Sequence, residues 1–333
     1  MYLTLDEFDS NNIRVVALAG GVGGAKMAHG LQEVIPGQRL TVVVNVGDDF
    51  EHYGLKICPD LDTVCYTLSG QSNPVTGWGL VNESWNALDT LKTIGGPTWF
   101  QLGDRDLGTH LERTRRIKLG YPLSKITDEF CQAWGVKSRI LPVTDQWIPT
   151  IVHTPEGDLS FQEYFVFRKC EPRVTGFSFE NISECVPAPG VLTAIEEAAL
   201  LVICPSNPFV SIDPILAVPG ITETIIRCKN DKNLVVLAVS PIVGGKAIKG
   251  PAAKMFQEFN LGANVSEVAH HYGKLLDGFI IDELDREFAE VISKEGLIPL
   301  VTNTLMPDLP HRRQLADDLV NFGITLLNGY NLG

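Results

Sequence analysis

Four aspartates crowd a short stretch of the chain directly after a predicted buried strand. Residues 40–46 are apolar at all but two positions, which is typical of a parallel strand covered on both faces. The aspartates that follow are Asp48, Asp49, Asp60 and Asp62. Because ligands bind where strands end in open α/β sheets, and because Mg²⁺ bridges carboxylates to phosphates, this pattern predicts a magnesium site. The alternative is a solvated acidic loop in which Asp60 or Asp62 caps a helix.

A second polar cluster follows a predicted strand at residues 98–102. It combines an amide, acids, an imidazole and guanidinium groups: Gln101, Asp104, Asp106, His110, Arg113, Arg115 and Arg116. Arginine binds phosphate as a bidentate donor, and His110 could orient a substrate hydroxyl or act as a base. Alternatively, His110 is a helix N-terminal residue whose ring is satisfied by Asp104 or Asp106. A helix is predicted from Leu111 to Lys118.

A glycine-rich turn links the first predicted strand, residues 13–19, to a helix that ends near Val34. The turn has the sequence GGVGGAK and contains Gly21, Gly23, Gly24 and Lys26. Strand, turn and helix in this order aim backbone N–H groups at a phosphate, and the helix dipole favours negative charge there. The motif resembles two nucleotide-binding fingerprints and matches neither. We interpret it as a phosphate contact rather than a purely structural turn, because the aspartates lie at the same edge of the sheet.

Small polar residues follow another apolar strand, which is predicted at residues 200–204. The segment PSNPFVSI carries Ser206, Asn207 and Ser211 between and after its prolines. Such a rigid loop could bind a base or a phosphate through its hydroxyl and amide groups. A stiff structural turn is the alternative.

The elements that position these residues alternate between short apolar strands and helices. This alternation predicts an α/β fold with a doubly wound, mostly parallel Rossmann-like sheet. Residues 1–12 are predicted to be a tail, and residues 13–333 a single domain. A mixed α/β insertion is expected at about residues 120–190, with strands at residues 137–143, 148–153 and 159–168. It is either a lid or wall for the substrate or only bulk. The polar strand ends then meet in one cleft at the carboxyl edge of the sheet.

The charge balance of the 333-residue chain argues against several classes of function. Its net charge is −13 and its isoelectric point about 5.0, which disfavours nucleic-acid binding through a basic face and adsorption to anionic membranes. No apolar run reaches the ~20 residues that span a bilayer, and the N-terminus lacks the features of a signal peptide. The seven scattered cysteines form no CxxC pair. We therefore expect reduced thiols in a cytoplasmic enzyme without a zinc site.

Several segments of the chain occur in an order that is known from one enzyme family. They are GGVGGAK, VNVGDD, PDLDT, LGDRDLGTH, FQEYFVFRK, PSNPFVSI and AVSPIVGGKAIKGPA. Together they resemble the 2-phospho-L-lactate transferase family, which acts in biosynthesis of the deazaflavin coenzyme F-420. The resemblance extends from about Ile13 to about Asn321. LGDRD-x-x-TH and PSNP are its more diagnostic parts, since the glycine-rich turn is shared more widely.

The resemblance implies a reaction between two small molecules. The donor is a guanosine diphosphate diester of 2-phospholactate or phosphoenolpyruvate, and the acceptor is the deazaflavin FO. The ribityl hydroxyl of FO attacks the phosphate that carries the organic acid, and GMP leaves. The family requires Mg²⁺ and suggests a homodimer. The sequence leaves open which three-carbon acid the donor carries.

Strand-end position and the family pattern together give the expected site residues. Candidate metal ligands are Asp49, Asp60 and Asp62, with Asp48 ranked lower. Candidate catalytic residues are Asp49, Asp62 and His110, and the sequence does not divide the metal-binding and base roles among the aspartates. The expected substrate-binding residues are Gly21, Gly23, Gly24 and Lys26 for phosphate, Gln101, Asp104 and Asp106 for the acceptor, and Ser206, Asn207 and Ser211 for the guanylyl group.

Two other classes of protein share parts of this pattern. A nucleotide-sugar-binding regulatory protein would share the glycine-rich turn and the acidic strand end, but would not be expected to carry LGDRD-x-x-TH. A nicotinamide oxidoreductase would place an acid roughly 20 residues after its glycines, much as Asp48 follows Gly21. The imperfect glycine pattern and the lack of a plausible hydride-transfer site make that class the weaker of the two.

Overall fold

The computed structural model describes residues 13–330, so the expected tail at residues 1–12 lies outside the described part. The strands are β1 (Val15–Ala19), β2 (Leu40–Val44), β3 (Phe50–His52), β4 (Leu55–Ile57), β5 (Arg139–Pro142), β6 (Thr150–Thr154), β7 (Gly157–Ser160), β8 (Gly176–Phe179), β9 (Leu200–Ile203), β10 (Val235–Val239), β11 (Ile242–Val243), β12 (Lys246–Ala247), β13 (Gly278–Asp282) and β14 (Ile298–Thr302). The α-helices are α1 (Gly21–Val34), α2 (Pro59–Leu68), α3 (Asn86–Thr93), α4 (Asp104–Lys118), α5 (Leu123–Ala133), α6 (Val191–Glu196), α7 (Asp213–Leu216), α8 (Ile221–Asn230), α9 (Ala252–Glu258), α10 (Val265–Tyr272), α11 (Ala289–Lys294) and α12 (Leu309–Tyr330).

Seven strands form one parallel sheet in the order β14-β13-β10-β9-β1-β2-β5. The central strands β1, β9, β10 and β13 are buried along their whole length. Their side chains are apolar except for Asp282 at the end of β13, and such strands suit a sheet covered on both faces. In the register of the sheet, Ala17 lies between Val42 and Val202. The doubly wound, Rossmann-like α/β fold predicted from the sequence is confirmed.

The order of the strands reverses at the centre of the sheet. β2 and β5 lie on one side of β1, and the strands from β9 onward lie on the other side. Connections that leave β1 and β9 in opposite directions open a crevice at the carboxyl ends of these strands, where doubly wound folds bind ligands. The glycine-rich turn follows β1, and residues 205–208 follow β9, so both candidate loops flank this crevice.

One predicted strand does not form. Residues 98–102 contain no strand, and helix α4 begins at Asp104 rather than at Leu111. The ring of Phe100 packs instead with its centroid 4.7 Å from that of Phe50, and this aromatic contact takes the place of sheet pairing. The prediction failed because a short apolar run does not by itself distinguish a strand from other buried segments.

The strand predicted at residues 159–168 is much shorter than expected. β7 ends at Ser160, and a π-helix spans Glu163–Phe167. Phe161 and Phe165 stack with centroids 5.4 Å apart and ring planes 9° apart, a contact that residues four apart make on a helical turn and not along a strand. β7 pairs antiparallel with β6, which also pairs with β8, and this small sheet lies within the expected insertion.

The remaining strands form two short antiparallel hairpins, β3 with β4 and β11 with β12. No single helix between residues 13 and 330 is long and apolar enough to cross a membrane. One pair of successive helical segments, Pro208–Leu216 and Ile221–Asn230, is long and apolar enough when the two are taken together. The two segments meet at an angle of 77°.

Candidate active site

A cavity of about 610 Å³ lies at the crevice between β1 and β9. Loops that follow five strands of the main sheet contribute to its wall, namely those after β1, β2, β9, β10 and β14. Helices α2 and α4, residues 99–101 and 248–252, and parts of the insertion and of the loop before α3 also line it. The cavity therefore has the size and position of a small-molecule site in this class of fold.

The glycine-rich turn packs directly against the loop that follows β9. The Ser206 hydroxyl donates to the Gly20 carbonyl oxygen at 2.8 Å and accepts from the Gly20 N–H at 3.1 Å. A Cβ at Gly23 would lie 2.2 Å from the backbone oxygen of Pro205, so only glycine allows the two loops to approach this closely. Gly21 and Gly23 both line the cavity. The N-terminus of α1 thus faces the cavity, with the Gly21 N–H donating to the Asp60 carboxylate, and the dipole of the helix favours negative charge there.

Lys26 and Gly24 differ in their position relative to the cavity. Lys26 lines it, and burial together with the charges of Arg312 and Lys249 lowers the pKa of Lys26. Gly24 does not line the cavity, and a Cβ there would lie 2.6 Å from Ser206 Oγ. Gly24 is therefore explained by packing, and the expected phosphate contact is not supported for it.

Two buried aspartates face the cavity without a cation partner among the described residues. Asp48 and Asp60 line the cavity and are 6% and 5% exposed. The Asn45 side-chain amide donates to Asp48 Oδ1 at 3.1 Å and to Asp60 Oδ2 at 2.9 Å, which holds the two carboxylates side by side. Burial raises the pKa of Asp60 to about 6, and burial and the Asp60 charge raise the pKa of Asp48 well above its ordinary range. A bound cation would relieve both effects.

Asp49 lies next to Asp48 in sequence but does not line the cavity. Its Oδ2 is 2.8 Å from Lys56 Nζ and accepts a weak hydrogen bond from Cys58 Sγ at 3.2 Å. Its Oδ1 is buried without a hydrogen-bond partner in the described part of the chain. Asp49 already has a cation partner, so the structure favours Asp48 over Asp49 as a residue of the cavity.

A polar network joins helix α2 to helix α4. Asp62 and Tyr66 lie four residues apart on α2, and Asp106, His110 and Arg113 recur at helical spacing on α4. The Tyr66 hydroxyl donates to Asp106 Oδ1 at 2.6 Å. Arg113 donates to Asp62 through both terminal nitrogens, with Nη1 3.0 Å from Oδ2. Burial opposes ionisation of Asp106, but the His110 and Tyr66 side chains outweigh it and lower the pKa of Asp106.

His110 occupies the centre of this network and is 2% exposed. Its Nδ1 lies 3.3 Å from Arg113 Nη1 and 3.7 Å from Asp62 Oδ2. Its Nε2 lies 3.4 Å from Asp106 Oδ1 and makes no hydrogen bond to the described residues. One ligand atom from each of Asp62, Asp106 and His110 lies within 4.8 Å of the others, so these residues form a buried group that could bind a metal ion.

Asp104 does not reach the cavity, contrary to the expectation that it binds substrate. It accepts hydrogen bonds from the Ala87 N–H at 2.9 Å, from the Ser84 hydroxyl at 2.7 Å and from the Asn86 side chain at 2.7 Å. These donors hold the pKa of Asp104 well below its ordinary value. Asp104 therefore ties the start of α3 to the start of α4.

The three polar residues after β9 all line the cavity, and each also has a role in the fold. Ser206 bonds the glycine-rich turn, as described above. Asn207 Oδ1 accepts from the Phe209 N–H at 3.1 Å and caps the π-helix Pro208–Ile212. Ser211 is buried, and a Cβ at Gly20 would lie 2.6 Å from Ser211 Cβ.

Most of the expected site residues thus line one cavity: Gly21, Gly23, Lys26, Asp60, Asp62, Gln101, Asp106, His110, Ser206, Asn207 and Ser211. Sequence reasoning missed the parts played by Asn45, Tyr66 and Arg113. Signals for them were present, since Asn45 interrupts an apolar strand, and Tyr66 and Arg113 follow Asp62 and His110 at helical spacing. No sequence signal indicated that Asp48, rather than Asp49, lines the cavity, because adjacent aspartates look alike in sequence.

Aromatic side chains form much of the remaining wall. The cavity is lined by Tyr66, Trp78, Trp99, Phe100, Phe161 and Phe165. Phe161 is buried beneath Phe165, whose outer face leaves it 38% exposed. Trp78 is 41% exposed. These rings give the cavity apolar surfaces that suit a planar ligand.

A family model described as 2-phospho-L-lactate transferase CofD matches residues 15–306. The chain belongs to the 2-phospho-L-lactate transferase CofD family. The family resemblance read from the sequence is therefore confirmed, and the protein is a transferase of the family linked to coenzyme F-420 biosynthesis. The family acts on small-molecule substrates.

Two relatives and one solved structure extend this family assignment. The chain is 40% identical over 310 residues to a phosphoenolpyruvate transferase of Streptomyces coelicolor, covering 91% of this chain and 96% of the relative. It is 38% identical over 322 residues to a phosphoenolpyruvate transferase of Nocardia farcinica, covering 92% and 94%. A crystal structure of a UPF0052 family protein from Bacillus halodurans matches with a TM-score of 0.60 at 15% identity, covering 92% of this chain and 98% of that one. This last likeness concerns the fold alone.

Proposed function

We propose that this family member transfers a phosphorylated three-carbon acid from its guanosine diphosphate diester to the ribityl hydroxyl of FO. The hydroxyl oxygen bonds to the phosphorus that carries the acid, and the bond from that phosphorus to the bridging oxygen breaks. GMP leaves with the bond electrons, and the hydroxyl proton passes to a base. The product is the phosphodiester coenzyme F-420-0 or its dehydro form.

The observation that carries this proposal is that groups of opposite charge line the same cavity. The N-terminus of α1 and Lys26 offer positive charge, whereas Asp48 and Asp60 offer negative charge without a cation partner among residues 13–330. A diphosphate bound at α1 with a divalent cation on the aspartates satisfies both. Phosphoryl-type transfer depends on such positioning and neutralisation more than on covalent chemistry by the protein.

Phosphoenolpyruvate is the acid that we propose for the donor. The relatives in Streptomyces coelicolor and Nocardia farcinica are phosphoenolpyruvate transferases, and both align along nearly the whole chain. 2-Phospholactate is the competing donor acid. Because the two acids differ by a few atoms, turnover with each guanylylated acid has to be compared directly.

Mg²⁺ is the cofactor that we propose, with Asp48 and Asp60 as its protein ligands. They fit because they are buried, adjacent carboxylates that lack a cation partner in the described structure, and Mg²⁺ uses one or two carboxylates. Asp62 fits less well, since both of its oxygens accept from Arg113, and Asp49 pairs with Lys56. Bound Mg²⁺ would neutralise charge on the transferred phosphate. We assign Asp62 to holding the guanidinium of Arg113.

The aromatic part of the cavity is the proposed site for FO. Phe165 and Trp78 expose ring faces there, and planar rings gain from stacking on such faces. Gln101, Asp106 and His110 would then contact the ribityl chain. Ser206, Asn207 and Ser211, which follow β9, are proposed to contact the guanylyl part of the donor.

A fluorescence titration with FO tests the proposal. We expect saturable FO binding, and transfer with release of GMP once guanylylated phosphoenolpyruvate and Mg²⁺ are added. Asp60→Asn should abolish transfer, whereas the matched control Glu290→Gln, at an exposed position of helix α11, should leave it unchanged. Absence of FO binding under every condition would contradict the proposal and favour a nucleotide-sugar-binding protein, which binding of a uridine sugar without turnover would identify.

A further inference from the structure

We propose that Lys26 and Lys249 bind the phosphate of the donor that leaves with guanosine, and that they stabilise its charge as the bond to the transferred phosphorus breaks. Arg312 does not line the cavity and acts through Lys26, as a positioning residue. This inference rests on the proposed function. It adds a site for the leaving group on the side of the cavity away from the aspartates.

Helix α1 has an acidic neighbour on one side and a basic neighbour on the other. It packs against both α2 and α12. On the α2 side, the Asp60 carboxylate accepts from the Gly21 N–H. On the α12 side, Arg312 Nη1 lies 3.0 Å from His29 Nδ1, and a Cβ at Gly30 would lie 2.2 Å from the Arg312 carbonyl oxygen. The start of the helix, which faces the cavity, therefore separates the aspartates from a group of cations.

The cations on this side are Lys26, Lys249 and Arg312, and none of them makes an ion pair with a carboxylate in the described part of the chain. Burial and the charges of Arg312 and Lys249 lower the pKa of Lys26, so the three charges lie close together. Arg312 Nε is buried and has no hydrogen-bond partner among residues 13–330. Because the chain has 40 acidic and only 27 basic residues, this gathering of cations without a carboxylate indicates an anionic ligand. A bound anion would relieve their repulsion.

A contact between two loops places Lys249 over the start of α1. Lys249 lines the cavity, and its Nζ donates to the Thr76 carbonyl oxygen at 2.6 Å. A Cβ at Gly77 would lie 3.0 Å from Lys249 Nζ and 2.8 Å from Val22 Cγ1, and Val22 is the second residue of α1. An ammonium group has three N–H donors. Two of them remain for an anion at the helix N-terminus.

The side of the cavity on which the lysines lie identifies the phosphate that they bind. The transferred phosphorus has to lie beside the proposed metal ligands Asp48 and Asp60, which are on the α2 side. The second phosphate of the donor, which carries guanosine, then extends across the start of α1 to the α12 side. Lys26 and Lys249 line the cavity there. The leaving phosphate is therefore the anion that fits the cations.

The reaction increases the negative charge on that phosphate. As the ribityl oxygen bonds to the transferred phosphorus, its proton passes to a base at the cavity wall, and the bond from phosphorus to the bridging oxygen breaks. The electrons of that bond stay on the bridging oxygen, which becomes a terminal oxygen of GMP with one more negative charge. Cations that are already in place stabilise this developing charge more than they stabilise the bound donor, and so they raise kcat.

Binding of GMP tests the site without the reaction. Isothermal titration calorimetry with GMP, in the presence of a chelator, compares the parent with Lys249→Met and Lys26→Met. We expect each variant to bind GMP about 10-fold more weakly, because each loses a charge-assisted hydrogen bond. The matched control is Lys246→Met, since this exposed lysine does not line the cavity, and it should bind GMP as the parent does. Absence of GMP binding by the parent, unchanged affinity in both variants, or a loss for GDP without a loss for GMP would overturn the proposal.

A donor with sulfur in place of the bridging oxygen tests the stabilisation of the leaving group. The sulfur atom leaves more readily than oxygen and depends less on nearby cations. We expect Lys249→Met to lower kcat by about 100-fold with the oxygen donor, the size of effect seen when one donor to a developing anion is removed. The loss with the sulfur donor should be much smaller. Equal losses with the two donors would overturn a role in departure of GMP.

The role of Arg312 is tested by restoring its charge. Arg312→Gln removes the positive charge next to Lys26 and should lower the affinity for GMP, whereas Arg312→Lys keeps the charge and should restore most of it. A loss of equal size in both variants would overturn the positioning role and leave Arg312 with a part in the packing of α12 alone.

Failure of this inference can be told apart from failure of the proposed function. A protein that transfers nothing to FO, but binds GMP more weakly when Lys26 or Lys249 is changed, contradicts the proposed reaction and retains the phosphate site. A protein that transfers to FO, with Lys249→Met and Lys26→Met as active as the parent, retains the proposed function and loses this inference.

Discussion

Asp48 and Asp60, which lie at the ends of different elements, accept hydrogen bonds from one side-chain nitrogen, that of Asn45. Asn45 follows strand β2, and Asp60 lies in the first turn of α2. Asn45 Nδ2 also lies 3.2 Å from the Val210 carbonyl oxygen. One amide thus joins the ends of β2 and α2 to the loop after β9, and it fixes two carboxylates at the wall of the cavity.

Removal of this amide should weaken the metal site without removing a carboxylate. Asn45→Leu leaves the two buried aspartates without their shared donor, so their repulsion increases. We expect Mg²⁺ affinity to fall by about 10-fold to 100-fold, the range seen when outer-shell partners of metal ligands are changed. Isothermal titration calorimetry measures this affinity. An affinity equal to that of the parent would show that Asn45 has no part in the metal site.

The contribution of Asp60 to the stability of the metal-free protein should fall as pH rises from about 4 to about 7. An unfolded aspartate has a pKa near 3.8, whereas folded Asp60 holds its proton up to about pH 6. Between these values the folded state binds more protons, so the free energy of unfolding falls with rising pH. The loss should be about 1 to 3 kcal/mol. Urea unfolding in the presence of a chelator measures it, and Asp60→Asn should flatten the curve; an unchanged slope in that variant would assign the effect elsewhere.

Gly23→Ala should disturb the contact between the two loops that flank the crevice. The new Cβ would lie 2.2 Å from the backbone oxygen of Pro205. A backbone atom cannot move aside as easily as the flexible end of a side chain. We expect a loss of about 1 to 3 kcal/mol in unfolding free energy and weaker binding of GDP. Gly108→Ala, where a Cβ meets nothing within 4 Å, is the matched control. Equal stability of the two variants would contradict the close approach.

Asp104→Asn should affect the fold and not the chemistry. The carboxylate of Asp104 accepts hydrogen bonds at the start of α3 and lies outside the cavity. We expect a lower melting temperature with unchanged KM for FO. Because the pKa of Asp104 is lowered in the folded protein, its stabilising effect is present at neutral pH and is lost as the solution is acidified. A raised KM for FO would show that Asp104 contributes to substrate binding.

The sequence predicts the sheet well because its strands are short, apolar and separated by helices with their own periodicity. Strand ends at the carboxyl edge of a parallel sheet must converge, so residues as distant as Gly21, Asp60 and Ser206 could be placed in one cleft. The failures have physical causes. Residues 98–102 and 161–167 are aromatic runs whose conformation depends on ring packing, which no local pattern specifies.

Side-chain partners were less predictable than positions. Asp48 and Asp49 have the same chemistry, and only the fold shows that one reaches the cavity while the other pairs with Lys56. Asp104 and Asp106 likewise separate, because residues two apart on α4 point in different directions. The single domain, the cytoplasmic location and the homodimer remain predictions.

A single-turnover reaction tests most directly whether this cavity transfers the phosphorylated acid to FO. Enzyme in excess is mixed with FO, guanylylated phosphoenolpyruvate and Mg²⁺, and the products are quantified by mass spectrometry for the parent and for Asp60→Asn. We expect GMP and the phosphodiester of FO in equal amounts from the parent and neither from the variant. Release of GMP without the phosphodiester would contradict transfer to FO, and full transfer by Asp60→Asn would contradict a metal site built on Asp60.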